Sequence, residues 1–93
     1  MVVIIKSAPD TNDGALGLTL AKNGRADLIL LQNGVFFAQK ERLGSFPGVV
    51  YVLDDDKKLR GLKDAELDER VKVIDYDKMT DIITSDEKVT GMF

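Results

Sequence analysis

The chain is predicted to fold as an α/β protein, a three-layer α/β/α arrangement around a mainly parallel sheet of four to five strands. Two observations carry this. Four short apolar runs, Val2–Ile5, Asp27–Leu31, Val49–Leu53 and Val71–Ile74, are each bounded by Gly, Asp or Asn. They recur at intervals of about 20 to 25 residues, the rhythm of βα units. The runs are nearly continuous in β-branched residues and leucine, as in a parallel sheet with helices on both faces.

The intervening segments read as helices. Asp10–Asp13 offers several N-cap candidates, Leu16 and Leu20 fall on one helical face, and Asn23-Gly24 supplies a left-handed stop. Gly14 and Gly17 weaken this helix. After the second strand, Gly34–Leu43 reads as a short helix ending at Gly44 and Pro47. A third helix is expected from Asp54 to about Leu62, its three entry aspartates suiting the positive end of the helix dipole. Asp75 is expected to cap a fourth, with Tyr76, Met79, Ile82 and Ile83 as its apolar stripe. Lys63–Arg70 is an ordinary connection, and Lys88–Phe93 reads either as an edge strand or as a packed tail. With 93 residues, a single domain spanning residues 1–93 is expected.

Composition narrows the chemistry. There is no cysteine and no histidine, so this sequence offers no thiolate nucleophile, imidazole base, disulfide or usual zinc ligand. A net charge of -3 gives no electrostatic reason to bind nucleic acid directly. The apolar runs are far below the roughly 20 residues of a membrane span. The chain is expected to be cytoplasmic, without cofactor, metal or catalytic residues.

Ligands of open parallel sheets sit beyond the carboxyl ends of the strands. That places Ser7, Asn33, Gly34 and Asp54 as candidates for a strand-end cleft. Each has a plainer reading: a loop hydroxyl for Ser7, a tight turn for Asn33-Gly34, and helix caps for Asp54 and Asp75. Asp54–Asp56 lacks calcium-loop spacing, and adjacent residues at a helix start diverge, which argues against a metal site. Gly14 and Gly17 fit neither the dinucleotide fingerprint nor the P-loop. Phe36 and Phe37 point about 100° apart on a helix, so either both are buried under a broad apolar face or one reaches a subunit interface.

Several segments resemble one family. Ile29-Leu30-Leu31-Gln32-Asn33-Gly34-Val35 is similar to the "LLQ(D/N)GV" segment of TusB and DsrH. Val50–Asp56 followed by Leu59-Arg60-Gly61-Leu62 resembles that family's third strand and its helix ending in "ARGL", with leucine in place of alanine. Val73-Ile74-Asp75-Tyr76 and Gly91-Met92-Phe93 resemble its fourth strand and aromatic-ended tail. Before Ala26, only the first strand and Ser7-Ala8-Pro9-Asp10 agree.

The resemblance implies a DsrE-like fold and a place beside DsrE/TusD-like and DsrF/TusC-like partners. Such complexes pass persulfide sulfur towards 2-thiolation of the tRNA wobble uridine, or serve sulfur oxidation. In this family the sulfur-carrying cysteine of the TusD or DsrE-type subunit lies at the end of the third strand, eight residues before the glycine of its "RG" pair. Counting back from Gly61 puts Leu53 at the equivalent position. The resemblance thus implies a non-catalytic subunit that supports the relay without carrying sulfur. A stand-alone homo-oligomer with a small-molecule cleft is the alternative.

Overall fold

The computed structural model describes residues 1–86 and 88–93. One sheet contains β1 (Val2–Ile5), β2 (Asp27–Leu30), β3 (Val50–Leu53), β4 (Val71–Ile74) and β5 (Val89–Thr90). The strand order is β4-β3-β2-β1-β5, and every adjoining pair is parallel. The α-helices are α1 (Asn12–Asn23), α2 (Asp54–Leu59) and α3 (Tyr76–Ser85), with 3₁₀ segments at Gln32–Ala38 and Asp64–Glu66. The four predicted strands are all present, β2 and β3 each one residue shorter than expected. Of the two readings of the C-terminal segment, the edge strand is observed: β5 pairs with β1. Beyond it, the Phe93 amide donates to Ile4 O at 3.0 Å, and Phe93 O accepts from the Lys6 and Ser7 amides at 3.1 Å each.

Strand order decides the layers. The steps β1→β2→β3→β4 all run in one direction across the sheet, so right-handed crossovers place their connections on one face. The step from β4 back to β5 runs the other way and carries α3 across the opposite face. Side chains divide accordingly, with the two-residue period of the strands. Val3, Ile5, Leu28, Leu30, Val50 and Val52 enter the larger core with Phe37, Leu43, Phe46 and Leu62. Val2, Ile4 and Ile29 meet Met79, Ile82 and Ile83 of α3.

The helices depart from expectation where packing overrides pattern. The face of α1 turned to the sheet is Gly14, Gly17 and Ala21, whereas Leu16 is 50% and Leu20 37% exposed. The helix lies too close to β1 for leucines: a Cβ at Gly17 would stand 2.9 Å from both Ile5 Cγ1 and Phe93 Cβ. Thr11 is its N-cap, Oγ1 accepting from the Gly14 amide at 3.1 Å. Its end is not the left-handed glycine expected, since Gly24 stays right-handed and Arg25 takes the positive φ of 53°.

The expected helix Gly34–Leu43 is instead the 3₁₀ segment Gln32–Ala38. It stops because the following backbone pairs elsewhere. Ala38 O accepts from the Asp68 amide at 2.8 Å, the Lys40 amide donates to Glu66 O at 3.0 Å, and Gln39 forms an antiparallel bridge with Leu67. The α2 helix ends at Leu59 rather than Leu62, because Gly61 turns the chain at φ +69° and sends Leu62 into the core. Its N-cap is Leu53, so Asp54 is the first helical residue and not the cap. Asp75 does cap α3, accepting from the Lys78 amide at 2.8 Å. Of the α3 stripe, Tyr76 is 52% exposed while the other three pack. Coverage of both sheet faces fails at β4, where Lys72 and Val73 are exposed.

The α1 geometry predicts an inverted mutational response. Leu16→Gln should change stability by less than about 0.5 kcal/mol, as exposed substitutions do, whereas Ala21→Leu should destabilise by about 1–3 kcal/mol through overpacking. Urea unfolding of the two variants measures this; a larger loss from Leu16→Gln would mean that α1 presents the opposite face.

Candidate functional site

The connection leaving β3 lies on one face of the sheet and that leaving β4 on the other. At such a switch point the carboxyl ends of two neighbouring strands part and open a crevice. Leu53 is the last residue of β3 and is only 1% exposed. Immediately after it, α2 borders an open groove of about 460 Å3, walled by Asp54, Lys57, Lys58 and Asp64, with Val71 and Val73 also in its lining.

Lys57 is the one buried charged residue among those described. It lies on α2 with its side chain turned inward. Its ammonium is 2.9 Å from Asp64 Oδ1 and 4.0 Å from Asp54 Oδ1, and it donates to Leu62 O at 3.3 Å. Burying an ammonium is tolerable only with such partners. These contacts tie α2 to the segment that follows it. Lys58 Nζ stands 2.8 Å from Asp54 Oδ2, and that hydrogen bond and charge raise the Lys58 pKa above its ordinary value. On the far wall, the Arg70 backbone amide and then its side chain hold the Asp68 carboxyl below the usual range. Arg70 also donates to Phe46 O and Gly44 O, at 2.9 and 2.7 Å.

A second constellation joins the end of β2 to α2. Gln32 adopts a left-handed φ of 48°, and its amide donates to Asp56 Oδ2 at 2.7 Å. Arg60 Nε donates to Asn33 Oδ1 at 2.9 Å. The carboxylate and guanidinium of one helix thereby hold both residues of a turn more than twenty positions upstream. Gly34 is required by a close approach, because a Cβ there would fall on Ile5 O.

The strand-end candidates thus divide among different tasks. Asn33 is held by Arg60, and Gly34 packs against the end of β1. Asp54 sits in the groove between two lysines. Ser7 follows β1, which β2 separates from β3, and its amide binds Phe93 O. Ser7, Asn33 and Gly34 do not line the groove that contains Asp54. Phe37 is buried, and Phe36 is partly buried against the larger core. The aspartate run is drawn apart, Asp54 to the lysines and Asp56 to the turn, and no three acidic groups among the described residues are placed to hold a metal ion. No helix among the described residues is long and apolar enough to cross a membrane. Sequence reasoning missed the roles of Lys57, Asp56 and Arg60, because their partners lie on other segments of the chain.

The Gln32–Asp56 contact is testable. Asp56→Ala leaves a strained turn without its acceptor and should cost about 1–2 kcal/mol. Arg60→Ala, which removes a surface contact to a side chain and leaves no backbone donor unpaired, should cost less than about 1 kcal/mol. Denaturant melts would show the order, and equal losses would demote the aspartate.

The fold and motifs have known counterparts. A family model described as "DsrH like protein" matches residues 6–89. The solution NMR structure of protein Tm0979 from Thermotoga maritima is similar with a TM-score of 0.68 and 30% identity, over 95% of this chain and 97% of that one. A search of curated proteins finds no match. With the family model spanning most of the chain, β2 to β4 and both motifs that meet at α2 included, the chain belongs to the DsrH-like family.

Proposed function

We propose that this chain acts as one domain, residues 1–93, and as a non-catalytic subunit of a cytoplasmic sulfur-relay complex of the TusBCD or DsrEFH kind. Beside DsrE/TusD-like and DsrF/TusC-like partners it would support persulfide transfer, the sulfur-carrying cysteine being that of the DsrE/TusD-like subunit, in the service of 2-thiolation of the tRNA wobble uridine. The observation that carries this is Leu53. It ends β3 at the crevice and is 1% exposed, and the count back from Gly61 would make it the counterpart of the family's sulfur-carrying cysteine. A persulfide needs a sulfur atom that a partner's thiolate can reach, and the chain contains no cysteine at all.

What remains to such a subunit is shape and surface. The Asp56–Gln32 and Arg60–Asn33 contacts keep the ends of β2 and β3 in fixed register, as a subunit that frames a neighbour's reactive centre requires. The candidate interface residues Phe36 and Phe37 would act there from within, by setting the packing of the 3₁₀ segment.

Two measurements test the reading. Light scattering after gel filtration, on the protein mixed with DsrE-like and DsrF-like partners, should give the mass of a mixed assembly. A homo-oligomer indifferent to both partners would overturn the proposal. Leu53→Cys should react with a thiol reagent at least about tenfold more slowly than a free thiol, since access as well as thiolate character sets the rate. Rapid labelling of a folded Leu53→Cys would show that the position is open and that leucine does not close it.

A further inference from the structure

Beyond β5 the chain changes step against β1. Val2 pairs with Val89 and Val3 with Thr90, and that register continued would set Met92 opposite Ile5. The hydrogen bonds set Phe93 there instead. Its amide donates to Ile4 O at 3.0 Å and its carbonyl accepts from the Lys6 amide at 3.1 Å, the two bonds by which a residue faces Ile5 in a parallel pair. One extra residue is taken up between Thr90 and Phe93, which makes a β-bulge.

A bulge re-aims the side chains that follow it. Residues opposite one another in a sheet share a face, and Ile5 belongs to the larger core beneath α1. The bulge therefore turns Phe93 to that core, where it packs partly buried, and leaves Met92 51% exposed. The absence of a side chain at Gly17 makes the notch that receives Phe93. Phe93 O accepts from the Ser7 amide as well, so one carbonyl of the tail engages two successive amides at the carboxyl end of β1. Ligands of open parallel sheets lie beyond such strand ends; at β1 the chain's own tail lies there.

The attachment is local. The β5 strand is two residues long, no strand among the described residues pairs with its outer side, and Val89 is 37% exposed. Leu28, Ile29 and Leu30 of β2, by contrast, are fully buried between β1 and β3. Segments with few buried apolar contacts open at lower free energy than the core of a domain.

We propose that residues 91–93 form a strap, aimed by the bulge and anchored by Phe93 in the notch at Gly17, that closes the carboxyl end of β1 and opens separately from the inner strands. Opening bares the Lys6 and Ser7 amides together and makes the end of β1 accessible beside Ser7. The strap lies across β2 from the crevice at the end of β3, so the inference stands apart from the subunit reading.

Native-state hydrogen exchange on the full chain, labelled with ¹⁵N and followed at rising sub-denaturing urea, tests this. Lys6 and Ser7 should show matching protection, at least about tenfold below that of Ile29 and Leu30. Their exchange should respond little to urea, because a local opening exposes little surface, whereas Ile29 and Leu30 should accelerate steeply. Phe93→Ala should speed exchange at Lys6 and Ser7 by about tenfold or more, and Met92→Ala should leave it unchanged. Val52→Ala, in a strand that stays folded when the strap opens, should lower protection at Ile29 and Leu30 and leave Lys6 and Ser7 as they were. The urea series on the unaltered chain decides the matter even if a variant fails to fold. Equal urea dependence at β1's end and in β2, no protection at Lys6 or Ser7, or a Met92→Ala effect as large as that of Phe93→Ala would each overturn the proposal.

Discussion

The handedness of the crossover is the constraint on which the rest of this structure depends. Three successive right-handed steps in one direction place α1, the 3₁₀ segment Gln32–Ala38 and α2 on one side of the sheet, and the single return step leaves α3 alone on the other. The crevice between the ends of β3 and β4 is a consequence of that reversal. So is the position of Leu53, which would be an unremarkable core residue if β4 continued the same winding. Topology, more than any individual contact, opens the sheet at the end of β3.

Crowding three connections onto one face of a five-stranded sheet explains the small residues. The α1 helix reaches β1 through Gly17 and the loop after β1 through Gly14, and the 3₁₀ segment reaches β1 through Gly34. Close approach brings backbone against strand, and the leucines that would otherwise anchor α1 are turned outward. Glycine in a helix interior is unfavourable by roughly 1 kcal/mol relative to alanine. Here the loss is offset by the packing of Ile5 and Phe93 into the space that a side chain would have filled. The same crowding draws the 38–40 backbone into pairing with the 66–68 loop and cuts the 3₁₀ segment short.

These facts explain which features were legible in the sequence. The strands were, because a parallel strand buried on both faces writes itself as an unbroken apolar run, and the cap at Asp75 was, because it depends on residues three apart. The inward face of α1 was not. A leucine pair at helical spacing signals burial only if the neighbouring sheet leaves room, and the depth of that room is set by Ile5 and Phe93, distant in sequence. The site divides in the same manner. That Leu53 ends a buried strand was readable from one local run, whereas the Asp56–Gln32 and Arg60–Asn33 contacts span 24 and 27 residues and exist only once β2 and β3 are neighbours. Ser7 was grouped with Asp54 because both end a strand, yet strand order sets them apart.

Burial, finally, separates two ways in which a subunit can lack a carrier cysteine. A leucine standing exposed at the crevice would be a simple substitution, leaving a cleft that one mutation could refill with sulfur. Leu53 is instead enclosed, and beyond it Lys57 is drawn inward to Asp64 and Leu62 O, tightening α2 against the segment that follows. A thiolate in that position would lie behind packed side chains that deny it a partner. On the proposed reading, the packing around Leu53 closes this position, and the identity of the one residue there matters less.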